Sequence, residues 1–218
     1  MDHKIVHFET EGTPDMGHGT READAYLEPY RQAASKHGDR FGSLLWASPR
    51  TQRARFDAIC RLADMWGRKI LDAGCGRADL MDFLREREIQ FTEYIGIEAV
   101  DELAAAASRK NLPRTRIIHG DFVREPKLLE VEADVIVFSG SLNTLQREQF
   151  YLSLRQGFQA AGEVMVFNFL AAKHIASAQW LTWHHAEDVL QFARGLSPRV
   201  RMLDDYLDGD RTIAIYKS

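Results

Sequence analysis

Apolar residues recur along this chain with two rhythms, and the alternation between them predicts its elements. Leu27, Tyr30 and Ala34 share one helical face over residues 24–37, and Gly38 follows as a stop. A second helix is expected to begin at Ser48-Pro49, an N-cap followed by proline at the first helical position. Phe56, Ile59, Cys60, Ala63 and Trp66 supply its apolar stripe. An apolar strand then ends in Ile70-Leu71, followed by a helix over 80–87, a strand over 93–98, a helix over 101–110 and a strand over 116–119. A strand over 134–139, a helix over 147–159 and a strand over 163–169 continue the series.

Strands alternating with helices imply a mostly parallel sheet covered on both faces. Val135-Ile136-Val137-Phe138 and Val164-Met165-Val166-Phe167 are near-continuous apolar runs, which suit central strands buried on both sides. The end of the chain breaks the alternation. A helix over 186–194 precedes strands over 199–203 and 212–216, joined through Asp208-Gly209-Asp210 as an antiparallel hairpin. The opening ~20 residues, with Gly12, Gly17 and Gly19, lack periodicity and are expected to form a tail or flap. Residues 1–66 are thus expected to form a tail and helical cap, and residues 67–218 the core of the same domain.

Composition narrows the picture. A chain of 218 residues, 45% hydrophobic, can bury a core without staples. Its formal charge of −4 gives no chain-wide attraction for nucleic acid or an anionic membrane. Cys60 and Cys75 are its only cysteines, which argues against a disulfide framework or a zinc site. His3 and His7 have i, i+4 spacing, but in an aperiodic stretch no metal site is expected there. No apolar run approaches the roughly 20 residues of a membrane helix, and none of signal-peptide length opens the chain. A cytoplasmic protein is expected.

The chemistry concentrates where the first strand breaks into a helix, at Leu71-Asp72-Ala73-Gly74-Cys75-Gly76. Glycines there let backbone approach a ligand, and helix-start N–H groups face the crevice. The run lacks the Gly-Lys-Ser/Thr ending of a phosphate loop. Glu98 ends the second strand, where a carboxylate can accept from both hydroxyls of a ribose. Such a pair would serve a nicotinamide cofactor as well.

Taken with Tyr94-Ile95-Gly96-Ile97-Glu98, His119-Gly120-Asp121-Phe122 and Asp134 to Gly140, the run resembles the class I S-adenosylmethionine-dependent methyltransferases. The resemblance spans roughly residues 68–217. Further similarity is to a bacterial subgroup, on Trp46, Gln52-Arg53-Ala54-Arg55-Phe56, Ser139 to Asn143 and Phe167-Asn168. The resemblance implies an α/β fold: a Rossmann-like seven-stranded, mostly parallel sheet with an antiparallel C-terminal hairpin, helices on both faces and an N-terminal helical cap. It implies S-adenosyl-L-methionine as cofactor, held by Asp72, Gly74, Cys75, Gly76, Glu98, Ala99, Asp121, Phe122, Ser139, Gly140 and Arg55. Gly74 and Gly76 would admit the methionine moiety, Glu98 the ribose, and Asp121 the adenine amino group, with a helix N-cap as the lesser alternative for Asp121. Gln52 and Arg55, three residues apart on one helix face, would reach the cofactor carboxylate or the acceptor, with Arg50 and Arg53 as competitors. Ala78 stands where the family has a third glycine, which here reads as a packing variation.

The acceptor is expected to be a small molecule, with no nucleic-acid or membrane partner. Should it need deprotonation, His184 and His185 are candidates, then His174 and His119, while Asn143 would orient it or cap a turn. Trp180, Leu181 and Trp183 form a segment able to wall a pocket, with Trp46 and Tyr30 in a lid above it, although core packing explains the tryptophans as well. Two rival functions stay open: an NAD-dependent oxidoreductase of Rossmann type, and a non-catalytic S-adenosylmethionine-binding module. The hairpin and Gly120-Asp121-Phe122 disfavour the first.

Overall fold

The structure, a computed structural model, describes residues 24–176 and 178–217. The expected tail, with His3 and His7, lies outside the described residues. A single 3-10 turn at Ala25–Leu27 runs into helix α1 (Glu28–His37), where Pro29 sits in the first turn and Gly38, at φ +61°, ends it. A second 3-10 turn, Phe41–Leu44, leads to α2 (Pro49–Leu62). Ser48 caps α2 through a reciprocal box: its hydroxyl accepts from the Thr51 N–H, and Thr51 Oγ1 accepts from the Ser48 N–H.

This helix ends before Ala63 and Trp66 of the expected stripe. Ala63 is already extended, and Trp66 is 58% exposed. Asp64 Oδ1 accepts the Trp66 N–H at 2.9 Å, and Gly67, at φ +68°, turns the chain into the sheet. Local turn bonding thus wins over the apolar period.

The core follows as β1 (Lys69–Ala73), α3 (Asp79–Glu86), β2 (Glu93–Glu98), α4 (Asp101–Arg109), β3 (Thr115–His119), β4 (Val135–Phe138), α5 (Arg147–Ala160) and β5 (Val164–Leu170). It closes with α6 (Ala186–Leu196), β6 (Val200–Leu203) and β7 (Asp210–Tyr216). One seven-stranded sheet has the order β3-β2-β1-β4-β5-β7-β6. Strand β7 lies antiparallel between β5 and β6. The strand order reverses between β1 and β4, so a crevice opens there beyond the carboxyl ends of the parallel strands.

Period-two alternation sends each strand's side chains to two cores. Leu71, Ile95, Ile136 and Phe167 pack with Phe150 and Leu154 of α5 and Val189 of α6. Ile70, Tyr94, Val137 and Val166 pack on the other face with Ile59 of α2 and Leu80, Met81 and Leu84 of α3. Gly157 lets α5 approach the sheet, since a Cβ there would lie 2.6 Å from the Phe138 ring. A third, smaller cluster of Ala34, Leu44, Val100 and Leu103 seats the N-terminal segment on α4. Among the described residues no helix is long and apolar enough to cross a membrane.

The box at Ser48 fixes where α2 begins, and so where its side chains meet the crevice. Replacing Ser48 with alanine should lower stability by about 1 kcal/mol. Equilibrium denaturation checks this, and an unchanged midpoint would show that tertiary packing alone holds the start of α2.

Candidate functional site

Every parallel strand but β5 delivers a polar residue to one cleft, and the N-terminal segment roofs it. The cleft spans about 980 Å³ including its open mouth, within the size range of small-molecule sites. All the residues expected to hold a cofactor line it, from Asp72, Gly74, Cys75 and Gly76 through Glu98, Ala99, Asp121 and Phe122 to Ser139, Gly140 and Arg55. Asn143, Trp46, Tyr30, Trp180 and Leu181 line it too.

Glu98 is its organising acid. The carboxylate is 7% exposed, with Oε2 accepting the Gly76 N–H at 2.8 Å and Oε1 the Val100 N–H at 2.9 Å. Burial pushes its pKa up, against the pull of these backbone donors. A carboxylate carries further lone pairs on each oxygen, so Glu98 can accept again from the cleft. The Gly74 and Cys75 N–H groups both go to the Ile97 carbonyl, at 2.8 and 2.9 Å. The turn is therefore bound to β2 by its own amides.

The glycines themselves have a second purpose. A Cβ at Gly74 would lie 2.4 Å from Ser141 Cβ, one at Gly76 2.7 Å from Leu44 Cδ2, and one at Gly140 2.9 Å from the Trp46 ring. Protein side chains fill the volume that each Cβ would take, so these glycines admit the β4 loop and the N-terminal segment. Ala78 is more than a packing variation: it adopts φ +57°, ψ 43° while buried. A left-handed backbone is what glycine would hold at lower cost, which accounts for the family's preference at that position.

Asp121 is engaged twice within the chain. Oδ1 accepts the Val123 N–H at 2.9 Å, a local turn cap, while Oδ2 accepts the Tyr26 hydroxyl at 2.5 Å. Tyr26 was not legible as a site residue: it lies 95 positions away, and a lone tyrosine before a helix carries no signal. Burial and the neighbouring carboxylate push its pKa well above the phenol range, so it remains a donor. Tyr30 is likewise raised by burial, and it donates to the Gly140 carbonyl at 3.4 Å.

Arg55 leans over the Trp46 ring, 4.8 Å from its centroid, and is ion-paired with Asp210, whose carboxylate is buried. Gln52 turns to Asp79 at 3.1 Å instead. Arg53 pairs with Glu86 on the surface, and Arg50 does not line the cleft. None of the four candidate histidines lines the cleft. His184 is 4% exposed and stacks on Phe150 with ring centroids 3.9 Å apart, and burial lowers its pKa to about 4. His185 is exposed and meets the edge of Trp183, which also stays outside the lining. His174 and His119 pair with Asp208 and Asp101 at the surface. Asn143 is 7% exposed, its Oδ1 lacks a partner among the described residues, and its carbonyl accepts the Thr182 N–H. No group of three or more described His, Cys, Asp or Glu side chains could hold a metal ion.

Comparison with known proteins identifies the fold. Neither a scan against protein-family models nor a sequence search of curated proteins finds a match. Solved structures do match. Magnesium protoporphyrin IX methyltransferase (ChlM) from Synechocystis PCC 6803 with bound SAH is 13% identical at a TM-score of 0.63, over 91% of this chain and 97% of that one. A DhpI-SAH complex is 17% identical at 0.63, over 88% and 94%. Small RNA methyltransferase HEN1 is 11% identical at 0.62, over 79% of this chain and 26% of that one. This chain has the fold of the class I S-adenosylmethionine-dependent methyltransferases. At such identities the likeness concerns the fold.

Asp72 gives the site a pH signature. It is 3% exposed, accepts from the Tyr94 hydroxyl, and burial pushes its pKa from 3.8 up to about 7. The folded protein then holds a proton that the unfolded chain has lost, so stability falls as pH rises from about 4 to about 7. An Asp72→Asn protein should lack this component, and its stability relative to the parent should climb across that window. Denaturation at several pH values checks it, and parallel profiles for the two proteins would contradict the shift.

Proposed function

We propose that this protein is an S-adenosylmethionine-dependent methyltransferase acting on a small-molecule acceptor. The observation that carries this reading is the order of groups along the cleft. Asp121 after β3, Glu98 at the end of β2, the glycine turn after β1 and Ser139-Gly140 after β4 stand on successive neighbouring strands. That order suits a ligand with a base at one end, a ribose in the middle and an amino-acid group at the other. Asp121 takes the adenine amino group, Glu98 the ribose hydroxyls, and Arg55 the carboxylate. When bound, the cofactor supplies an already activated methyl group.

What remains for the chain is alignment and exclusion of water, which suffice for an in-line displacement. The cap does this through Tyr26, Tyr30, Leu44 and Trp46, all of which line the cleft. No described histidine faces the cleft, and burial holds the Cys75 thiol well above its ordinary pKa, so the reading invokes neither as a base. Trp46, Trp180 and Leu181 give the acceptor end an apolar wall. Four cleft acids, Asp72, Asp79, Glu98 and Asp121, and a net charge of −4 offer a phosphate backbone no attraction, which favours a small acceptor over nucleic acid.

Calorimetric titration with S-adenosylhomocysteine and with NAD tests the reading. The first should bind and the second should not; binding of NAD alone would overturn it. Glu98→Ala should weaken S-adenosylhomocysteine binding by about 1–3 kcal/mol in a protein that still folds. Undiminished affinity would remove Glu98 from the ribose. For the acceptor, methylation of a macromolecule with no turnover of metabolite mixtures would contradict the small-molecule assignment.

A further inference from the structure

Asn143, in the loop after β4, carries a polar side chain for which the fold itself has no partner. Its backbone is the structural part: the N–H donates to the Gly140 carbonyl at 3.3 Å, and the carbonyl accepts the Thr182 N–H at 2.7 Å. The second bond hangs the segment holding Trp180 and Leu181 beside the loop. The side chain is different. Asn143 is 7% exposed, and its Oδ1 is buried with no donor among the described residues. An oxygen left so costs about 1–3 kcal/mol, and a leucine of similar shape would avoid the cost. Because the residue lines the cleft, a ligand there is the remaining source of a donor.

Ser139, in the same lining, has the same polarity. Its hydroxyl donates to Asn168 Oδ1 at 3.0 Å, and that amide is held in place because its Nδ2 donates to Thr212 Oγ1 at 2.7 Å. Asn168 and Thr212 are wholly buried. With its proton committed inward, Ser139 offers the cleft lone pairs alone. Trp46, Trp180 and Leu181 supply apolar walls at this end. Among the described residues Arg55 is the one cation lining the cleft, and it is ion-paired with Asp210.

These walls suit a flat apolar body that carries an uncharged hydrogen-bond donor. A carboxylate or thiolate would set its lone pairs against those of Ser139 and Asn143. A neutral hydroxyl must lose its proton to attack well, and no group is free to take it: no described histidine lines the cleft, Tyr94 engages Asp72, and Gln52 and Arg77 engage Asp79. An aliphatic amine is protonated at neutral pH and has no lone pair to give. An amine on an aromatic ring is uncharged there, donates N–H and keeps its lone pair. Resting on the cofactor reading above, we infer that the methyl acceptor is an aromatic amine, its N–H donated to Asn143 Oδ1 and its ring against Trp46, Trp180 and Leu181. In the transfer the nitrogen lone pair forms the bond to the methyl carbon, and the carbon–sulfur bond breaks with its electron pair left on sulfur. The methylated ammonium then releases its extra proton to water, so no base is needed.

Four probes on one ring separate these demands: naphthylamine, N,N-dimethylnaphthylamine, naphthol and naphthoate, titrated into the full chain saturated with S-adenosylhomocysteine. Naphthylamine should bind about fivefold tighter than its dimethyl form or naphthoate. Asn143→Leu should reduce that preference to less than about twofold while S-adenosylhomocysteine affinity stays unchanged. Supplied with S-adenosylmethionine, the parent protein should methylate naphthylamine on nitrogen and leave naphthol unchanged. Tightest binding by naphthoate, equal binding of the amine and its dimethyl form, or methylation of naphthol alone would overturn the inference, and a preference that survives Asn143→Leu would remove Asn143 from it. The comparison among probes uses the parent protein, so it decides the acceptor class whether or not the variant folds. Binding of S-adenosylhomocysteine with none of the probes would overturn the acceptor class and leave the cofactor reading standing. Failure of S-adenosylhomocysteine to bind the parent protein would overturn that reading instead.

Discussion

The site depends on one carboxylate kept inside the protein. Glu98 ties the turn after β1 to the start of α4 through the Gly76 and Val100 amides. Without it, the Gly76 amide would be left buried without a partner, at a cost of about 1–3 kcal/mol. The Ile97 carbonyl, one residue earlier, holds the Gly74 and Cys75 amides. Together they pin a left-handed turn between two parallel strands at the point where the sheet order reverses. The crevice follows from the reversal of strand order, and the pinned turn lines it together with Glu98, one of its four acids.

The roof follows from the same turn. Three positive-φ glycines, at 74, 76 and 140, leave no Cβ, and the vacated volume is filled by Ser141, Leu44 and Trp46. Tyr26 then reaches Asp121, and Arg55 reaches Asp210 across 155 positions of chain. Each contact joins the N-terminal segment to a residue at the carboxyl edge of the sheet. Closing the cleft and positioning its polar groups are therefore the same set of interactions.

Much of this was legible in the sequence, for physical reasons that differ by residue. Continuous apolar runs such as 135–138 can only be central strands, and the hairpin at 208–210 announced itself through its turn residues. Glu98 was legible because a charge at the end of an apolar strand needs a reason, and Asp121 through the resemblance. Asp210 also precedes an apolar run, Thr212-Ile213-Ala214-Ile215, but inside the turn Asp208-Gly209-Asp210 an acid already has a local explanation. Partnerships across many residues were not legible: nothing in the spacing links Tyr26 to Asp121. The histidines misled because composition does not show orientation. His184 follows β5 as expected of an acceptor-facing residue, but it stacks into the aromatic cluster around Phe150 and loses contact with the cleft.

The central claim is that the Glu98-bonded turn is where the cofactor lies. An amide NMR titration of the full chain with S-adenosylhomocysteine tests it most directly, because the Gly76 and Val100 amides report on the Glu98 carboxylate itself. The account predicts that both resonances move together and saturate with the ligand, among the largest changes in the spectrum. Saturable binding that leaves both unmoved, with its changes clustered elsewhere, would contradict it.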